Sequence, residues 1–257
     1  MTRFGGRLSA LLGVALLAAA AWVAPSSGRA NEPDSTQARA ATEPLAAALA
    51  PLGPVRALVA SVLWAQLVHA RTEGDLDKIL LVSEGLLAMH PGLEIVREHL
   101  AAQIVLTRAP AALDDARHDA LVQRGLSMLE DGIALSGSAR LHGALGRLLV
   151  TQSRVDPRFN SAARRFFGAD PLAVAIEELR QAADADNSSI VLADLLVDRG
   201  ISAWVREGDL LGADRDLAEA EAIAMDLPGP DAATVAQRIA EIRQQMRTPD
   251  GGAAPPP

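Results

Sequence analysis

Five histidines, His69, His90, His99, His118 and His142, are the side chains best suited to hold a metal or carry a proton. None stands four residues from another, so no two imidazoles share one helix face as a His-x-x-x-His zinc site requires. They read as surface or interface residues. Asp184-Ala185-Asp186-Asn187 has the opening of a calcium loop, but Ser189 occupies the glycine position and Leu195 the position of the closing glutamate. A helix break capped by Asn187 or Ser188 accounts for it. Ser83-Glu84, followed by Gly85, offers the nearest general acid for cleaving cell-wall glycan, a reaction that needs one buried glutamate. An aromatic sugar cleft is hard to build here, because the chain has three tryptophans and no tyrosine. With no cysteine there are no disulfides, thiolate metal sites or cysteine nucleophiles. Phosphate loops, dinucleotide glycine fingerprints and the Gly-x-Ser-x-Gly elbow are all missing. The expectation is no catalytic residue, no metal and no cofactor.

Charge narrows the partners. Thirty-two acidic groups stand against 24 basic ones in 257 residues, a formal charge of -8, and a surface for nucleic acid needs the opposite balance. Residues 1–30 open with Arg3 and Arg7, run through sixteen uncharged residues from Leu8 to Val23 and break at Pro25, the layout of an export signal or a signal anchor. Small residues at Gly28 and Ala30 suit cleavage. Trp22 and the length of the apolar run suit retention as an anchor. Both readings export the remainder to the periplasm or to the periplasmic face of the inner membrane. Without its first 30 residues the chain holds 21 basic and 32 acidic groups, or -11.

The elements beyond the address are helical. Residues 31–44 form a spacer without apolar periodicity, residues 45–247 a helical repeat domain, and residues 248–257 a tail. Val55, Leu58, Val59, Val62, Leu63 and Leu67 mark a first amphipathic helix with Trp64 beside its stripe. Gly74 stops it, and Asp75 caps a second helix that runs to His90 before Pro91-Gly92. Further helices are predicted over Leu93–Thr107 and Asp114–Leu135, then from a Ser138 cap through Leu149 to the stop at Asp156-Pro157. Others are predicted over Pro171–Ala185, Ser188–Arg206, Asp209–Met225 and Ala232–Arg247. Residues 158–171 are the least repeat-like and read as an irregular loop. Nothing shows strand alternation, so the fold class is all-α.

Glu73-Gly74-Asp75-Leu76 returns as Glu207-Gly208-Asp209-Leu210, with the glycines 134 residues apart, close to four periods of 34. Residues 60–93 resemble a tetratricopeptide repeat: Trp64 lies near the usual aromatic position, Leu67 on the inner face, Gly74 at the turn and Pro91 at the end of the second helix. Residues 52–91 are also similar to exported tetratricopeptide-like proteins of planctomycete-type bacteria. The resemblance implies an α-solenoid of about four helical hairpins that binds other proteins.

The function expected is therefore a non-enzymatic scaffold for protein–protein interaction at the cell envelope, its membrane contact limited to an uncleaved N-terminal segment. Arg56, Gln66, Arg97 and Gln103, on the first helices of their pairs, are candidate contact residues. Arg165 and Phe166 join them as an anchor, since arginine and aromatic side chains dominate binding hot spots. The simpler reading of Arg164-Arg165-Phe166-Phe167 is that its phenylalanines plug a gap between helix pairs. Two alternatives to the scaffold remain: a permanent structural subunit of an envelope assembly, and the lytic enzyme built on Glu84.

Overall fold

Leucine, alanine, valine and isoleucine at helical spacing, punctuated by capping aspartates and glycines, commit the chain to helices whose stability comes mainly from packing their apolar faces on one another. The computed structural model describes residues 53–182, 188–227 and 230–247, without the side chains of 53–56 and 231. It contains α1 (Gly53–Glu73), α2 (Leu76–Met89), α3 (Glu94–Gln103), α4 (Asp115–Ser136) and α5 (Ala139–Val155). Then come α6 (Pro157–Phe167), α7 (Pro171–Gln181), α8 (Ser188–Ser202), α9 (Leu210–Asp226) and α10 (Pro230–Arg247). Wider π turns over Ile104–Arg108 and Ala203–Glu207 extend α3 and α8. Among the described residues there is no strand. Contacts divide the chain into units Met1–Ala50 and Pro51–Pro257, and every described residue belongs to the second. The expected address, the spacer, residues 45–52 of the repeat domain, the tail and the Asp184–Asn187 run lie outside the described residues.

Each helix packs on the next in sequence, and α3, α4, α5 and α8 also pack on the helix two places further on. The larger core runs from α3 to α10 through Leu126, Leu145, Leu149, Phe159, Ile176, Leu179, Leu196 and Ile239. A smaller one joins α1, α2 and α3 through Leu67, Ile79, Val82, Leu86 and Leu100. Gly146 lets α5 and α7 approach closely: a Cβ there would stand 2.6 Å from Leu179 Cγ and 3.2 Å from the Ala175 carbonyl oxygen.

Side-chain links repeat the same geometry. Glu84 pairs with Arg124 (α2 to α4), Glu98 with Arg140 (α3 to α5), Asp119 with Arg165 (α4 to α6) and His142 with Glu178 (α5 to α7). Arg180 pairs with Glu219 (α7 to α9) and Asp198 with Arg238 (α8 to α10). All six join a helix to its next-but-one neighbour, at sequence separations of 36 to 46 residues.

Three expectations change here. Residues 158–171 are mostly a helix, not a loop: Asp156 caps α6 by accepting the Arg158 N–H at 2.9 Å, Pro157 fills its first turn and Gly168 closes it at φ 68°. Asp156-Pro157, expected as a stop, is also a start, since proline suits the first helical position. The Gly74 and Gly208 turns are the same turn, with φ of 70° and 69° and with Asp75 and Asp209 accepting from the N–H groups of Lys78 and Gly212. Seven helices, α2 to α8, lie between them, and whole hairpins would put an even number there, so four 34-residue periods do not describe the interval. Finally, Ser138 holds the N-cap position of α5 as expected, but its side chain makes no cap hydrogen bond; its hydroxyl donates to Glu94 Oε2 at 2.7 Å.

One buried pair is a direct test of the packing. Asp216 on α9 is 2% exposed and accepts from Arg199 Nε at 2.5 Å and Nη2 at 2.7 Å. Asp216→Ala is expected to lower stability by about 2 kcal/mol, less than for a fully buried pair because the released arginine can rehydrate. The urea midpoint should fall at unchanged slope.

Candidate interaction site

Alternate turns of α3 and α5 face each other across a shallow groove. Glu98, Ala102 and Leu106 line one side; Ala144, Arg147, Leu148 and Thr151 line the other, over a floor that includes Leu129. Its volume is about 180 Å³. Small-molecule pockets commonly exceed about 300 Å³, so the dimension suits a side chain of a partner rather than an enclosed ligand. Glu98 ties the rim together: Arg140 Nε lies 2.9 Å from one carboxylate oxygen and Arg147 Nη2 lies 3.5 Å from the other. Arg147 also donates to Ser188 Oγ at 3.0 Å, which anchors the rim to α8. Leu106 is 44% exposed beside the two alanines, giving an apolar surface within a charged border. A wider cleft of about 550 Å³ opens between α9 and α10 at Glu221, Ala240, Arg243, Gln244 and Arg247, where Arg243 pairs with Asp214 and Glu221.

The six expected contact residues are not brought together. Arg56 has no described side chain. Gln66 is half-buried on α1, and half-buried Gln103 accepts from the Thr107 hydroxyl at 3.4 Å. Arg97 turns inward instead of outward: it is 8% exposed and donates to the Met128 and Pro91 carbonyls, both at 3.0 Å. Its neighbours Val96, Leu100 and Ala101 are buried, and the arginine satisfies backbone acceptors within that apolar stripe. Arg165, exposed on α6, pairs with Asp119. Phe166 is half-buried against the main core, edge-on to Phe167 with ring centroids 4.8 Å apart. The face that α3 turns to the groove is Glu98-Ala102-Leu106, half-buried at its first two positions and exposed at Leu106, one residue away from Arg97 and Gln103. An i, i+4 run of one charged and two small or apolar residues beside a buried stripe is the signal that marks it.

The histidines are dispersed. His69 pairs with Glu73 at 3.1 Å on the surface. His99 is held below the usual imidazole range by burial and by the Arg71 charge, against the pull of Glu98. His118, fully buried, lies 3.0 Å from Asp156. Among the described residues no three His, Asp or Glu side chains are placed to hold a metal ion. Glu84 is ion-paired to Arg124 with its side chain 39% exposed, a solvated carboxylate rather than a desolvated acid. The carboxyl shifted upward is Glu130, pushed above the ordinary range by burial and by Glu178, with His142 opposing and Asp131 adding. His142 Nδ1 lies 2.7 Å from Glu178, so the α4, α5 and α7 faces meet at a Glu–His–Glu cluster.

Comparison with protein-family models, curated proteins and solved structures finds no match to the chain.

Two carboxylates make opposite predictions. Burial pushes Asp156 up, but hydrogen bonds from His118 and from the Arg158 and Phe159 N–H groups hold it below its ordinary value. Its stabilisation is therefore complete above the unfolded carboxylate value of about 4 and is lost as pH falls through the depressed folded value. Asp156→Ala should cost about 2 kcal/mol at neutral pH, from the lost cap and the orphaned histidine, and less in acid. For Glu130 the sign reverses, because its raised folded value makes the ionised form a penalty that grows as pH rises. Glu130→Gln should raise the melting temperature at pH 7, and the gain should vanish below about pH 4. Thermal melts of both variants across pH read the two effects.

Proposed function

We propose that the chain is an exported, non-enzymatic scaffold, a tetratricopeptide-like superhelix of stacked hairpins that holds another protein or an envelope complex at the periplasmic side of the inner membrane. The observation that carries this reading is the groove between α3 and α5, set among next-but-one helix links that recur at about forty residues. Such a link pattern is what stacking of one helix pair on the next produces, and stacked pairs offer extended surfaces rather than enclosed chambers. The groove's apolar floor and charged rim match the anatomy of a protein interface: a desolvated centre inside a polar border. The acidic balance of the exported part favours a partner with a basic segment. Among the expected contact residues with described side chains, Arg165 is exposed, whereas Phe166 supports the plugging role.

A permanent subunit of a larger assembly is the second reading, favoured by exposed apolar residues away from the groove. Leu211 is 87% exposed and Met225 74% exposed, both on α9. The lytic-enzyme reading has little support, because Glu84 is neither buried nor free of a counter-charge.

Affinity purification of the full chain from its native membranes, with identification of what co-purifies, tests the scaffold reading. Combining Leu106→Asp with Thr151→Lys alters two exposed groove positions and should leave the far-UV helical signal intact. It is expected to reduce the captured partner about tenfold, equivalent to about 1.4 kcal/mol of binding. Equal capture by the variant would remove the groove from the interface, and no partner at all would count against both scaffold and subunit.

A further inference from the structure

Helix α1 lacks the polar face that a helix at the surface of a protein in water carries. From Ala57 to Ala70 it contains no Asp, Glu, Lys or Arg. One side packs on the α2 core through Leu63, Leu67 and Ala70. The other side is exposed and largely apolar: Leu58 at 55%, Val62 at 37%, Trp64 at 44% and Val68 at 50%, with Ala57, Ser61 and Ala65 exposed between them and His69, paired with Glu73, at its C-terminal end. Expected to lie on the buried stripe, Leu58 and Val62 instead face outward, because the small core that includes α1 needs only its Leu63-Leu67-Ala70 edge. A contiguous exposed apolar band of this kind marks a contact surface.

Charge identifies what covers it. No acidic residue occurs between Glu43 and Glu73, a stretch that includes Arg56 and Arg71, whereas residues 73–257 hold 29 acidic groups against 18 basic ones. The segment is cationic and apolar; the rest is strongly acidic. An anionic lipid surface attracts the first and repels the second, which would turn the protein α1-first toward a bilayer. Trp64 sits in the middle of the band, and the indole ring prefers the headgroup level, where its ring is in an apolar layer and its N–H is wet. No described helix is long and apolar enough to cross a membrane, so α1 would lie in the interface plane rather than span it.

We propose that the exposed face of α1 docks on an anionic phospholipid surface, with Leu58, Val62, Trp64 and Val68 entering the acyl boundary. This contact is separate from any insertion of residues 8–23 and does not depend on the groove between α3 and α5.

The absence of cysteine makes the test clean. Single cysteines replace Leu58 or Val68, or Leu113 as a fully exposed control, in the full chain, and each carries a polarity-sensitive fluorophore. Vesicles of phosphatidylcholine, with and without phosphatidylglycerol, are then added. Labels at 58 and 68 are expected to brighten several-fold and shift to the blue, more so with phosphatidylglycerol, while the label at 113 stays unchanged. Trp64→Glu and, independently, Ala65→Glu should abolish the response with the helical circular dichroism unchanged; Ala65 is exposed, so its substitution does not threaten the fold. Labels that remain in water on vesicle-bound protein would overturn the proposal. So would a response that survives both substitutions, or one that arises without lipid and grows with protein concentration, the mark of a second copy on the band.

Discussion

Nine of the 17 residues of α5 are buried, and they do not share one face: Leu141, Leu145, Leu148 and Gln152 lie on one side, Gly143, Gly146 and Val150 on another. A helix buried on two opposite sides, with its polar residues Arg140, Arg147, Thr151 and Arg154 confined to one stripe between them, cannot be covered by a single neighbour, so the chain must wrap it. That requirement sets the remaining placements. Helix α7 takes the glycine side, where Gly146 admits Leu179 at close range; α3 and α4 lie before it, and α6 and α8 complete the cover. A side chain larger than hydrogen at 146 would have to displace the Leu179 side chain, 2.6 Å away, while pressing on the Ala175 carbonyl oxygen of the α7 backbone at 3.2 Å. Interior packing at that density is why the order of helices around α5 is fixed rather than fluid.

The ion pairs that repeat from α2 to α10 do a different job from this core. Most are partly exposed, and pairs of that kind contribute about 0–1 kcal/mol each. Their value lies in register: each joins a helix to the one two places on, and a slip by one residue would unpair carboxylate and guanidinium together. The buried members are fewer and stronger. Arg199 forks onto Asp216, and Arg97 satisfies two carbonyls from different elements. The Glu130–His142–Glu178 cluster goes the other way, holding two carboxylates near one imidazole at a cost that grows with pH. It lies where α4, α5 and α7 converge, so α5 carries a strained polar contact as well as the best-packed apolar ones.

Much of this architecture is legible in the residues, and the misses share a cause. Period alone places nine helices, and the caps at Asp75 and Asp209 and the turn at Gly74 arise from local chemistry that tertiary contacts leave alone. Helix α6 is missed because Asp156-Pro157 carries two meanings, a terminator for the helix before it and an N-cap with N1 proline for the helix after it. Arg97 is placed outside because of its charge, although Val96, Leu100 and Ile104 around it describe an inward stripe. Residue type and periodicity disagree there, and periodicity decides the outcome. The two exposed residues of the α1 stripe show the reverse limit: period locates an apolar face but not whether the chain itself supplies enough surface to cover it.

The α3 side of the groove ends in a local departure from regular helix. After Gln103 the backbone widens into a π turn, with the Ala109 N–H reaching back five residues to the Ile104 carbonyl at 2.9 Å. Within that turn Ile104 and Val105 stay buried, while Leu106, four residues after Ala102, is 44% exposed beside it. The same widening ends α8, where the Gly208 N–H reaches the Ala203 carbonyl and Val205 emerges 47% exposed. Wide turns of this kind are rare and cluster where side chains must be re-aimed. Here each closes a helix and carries one exposed apolar side chain, and in α3 that side chain, Leu106, completes the groove.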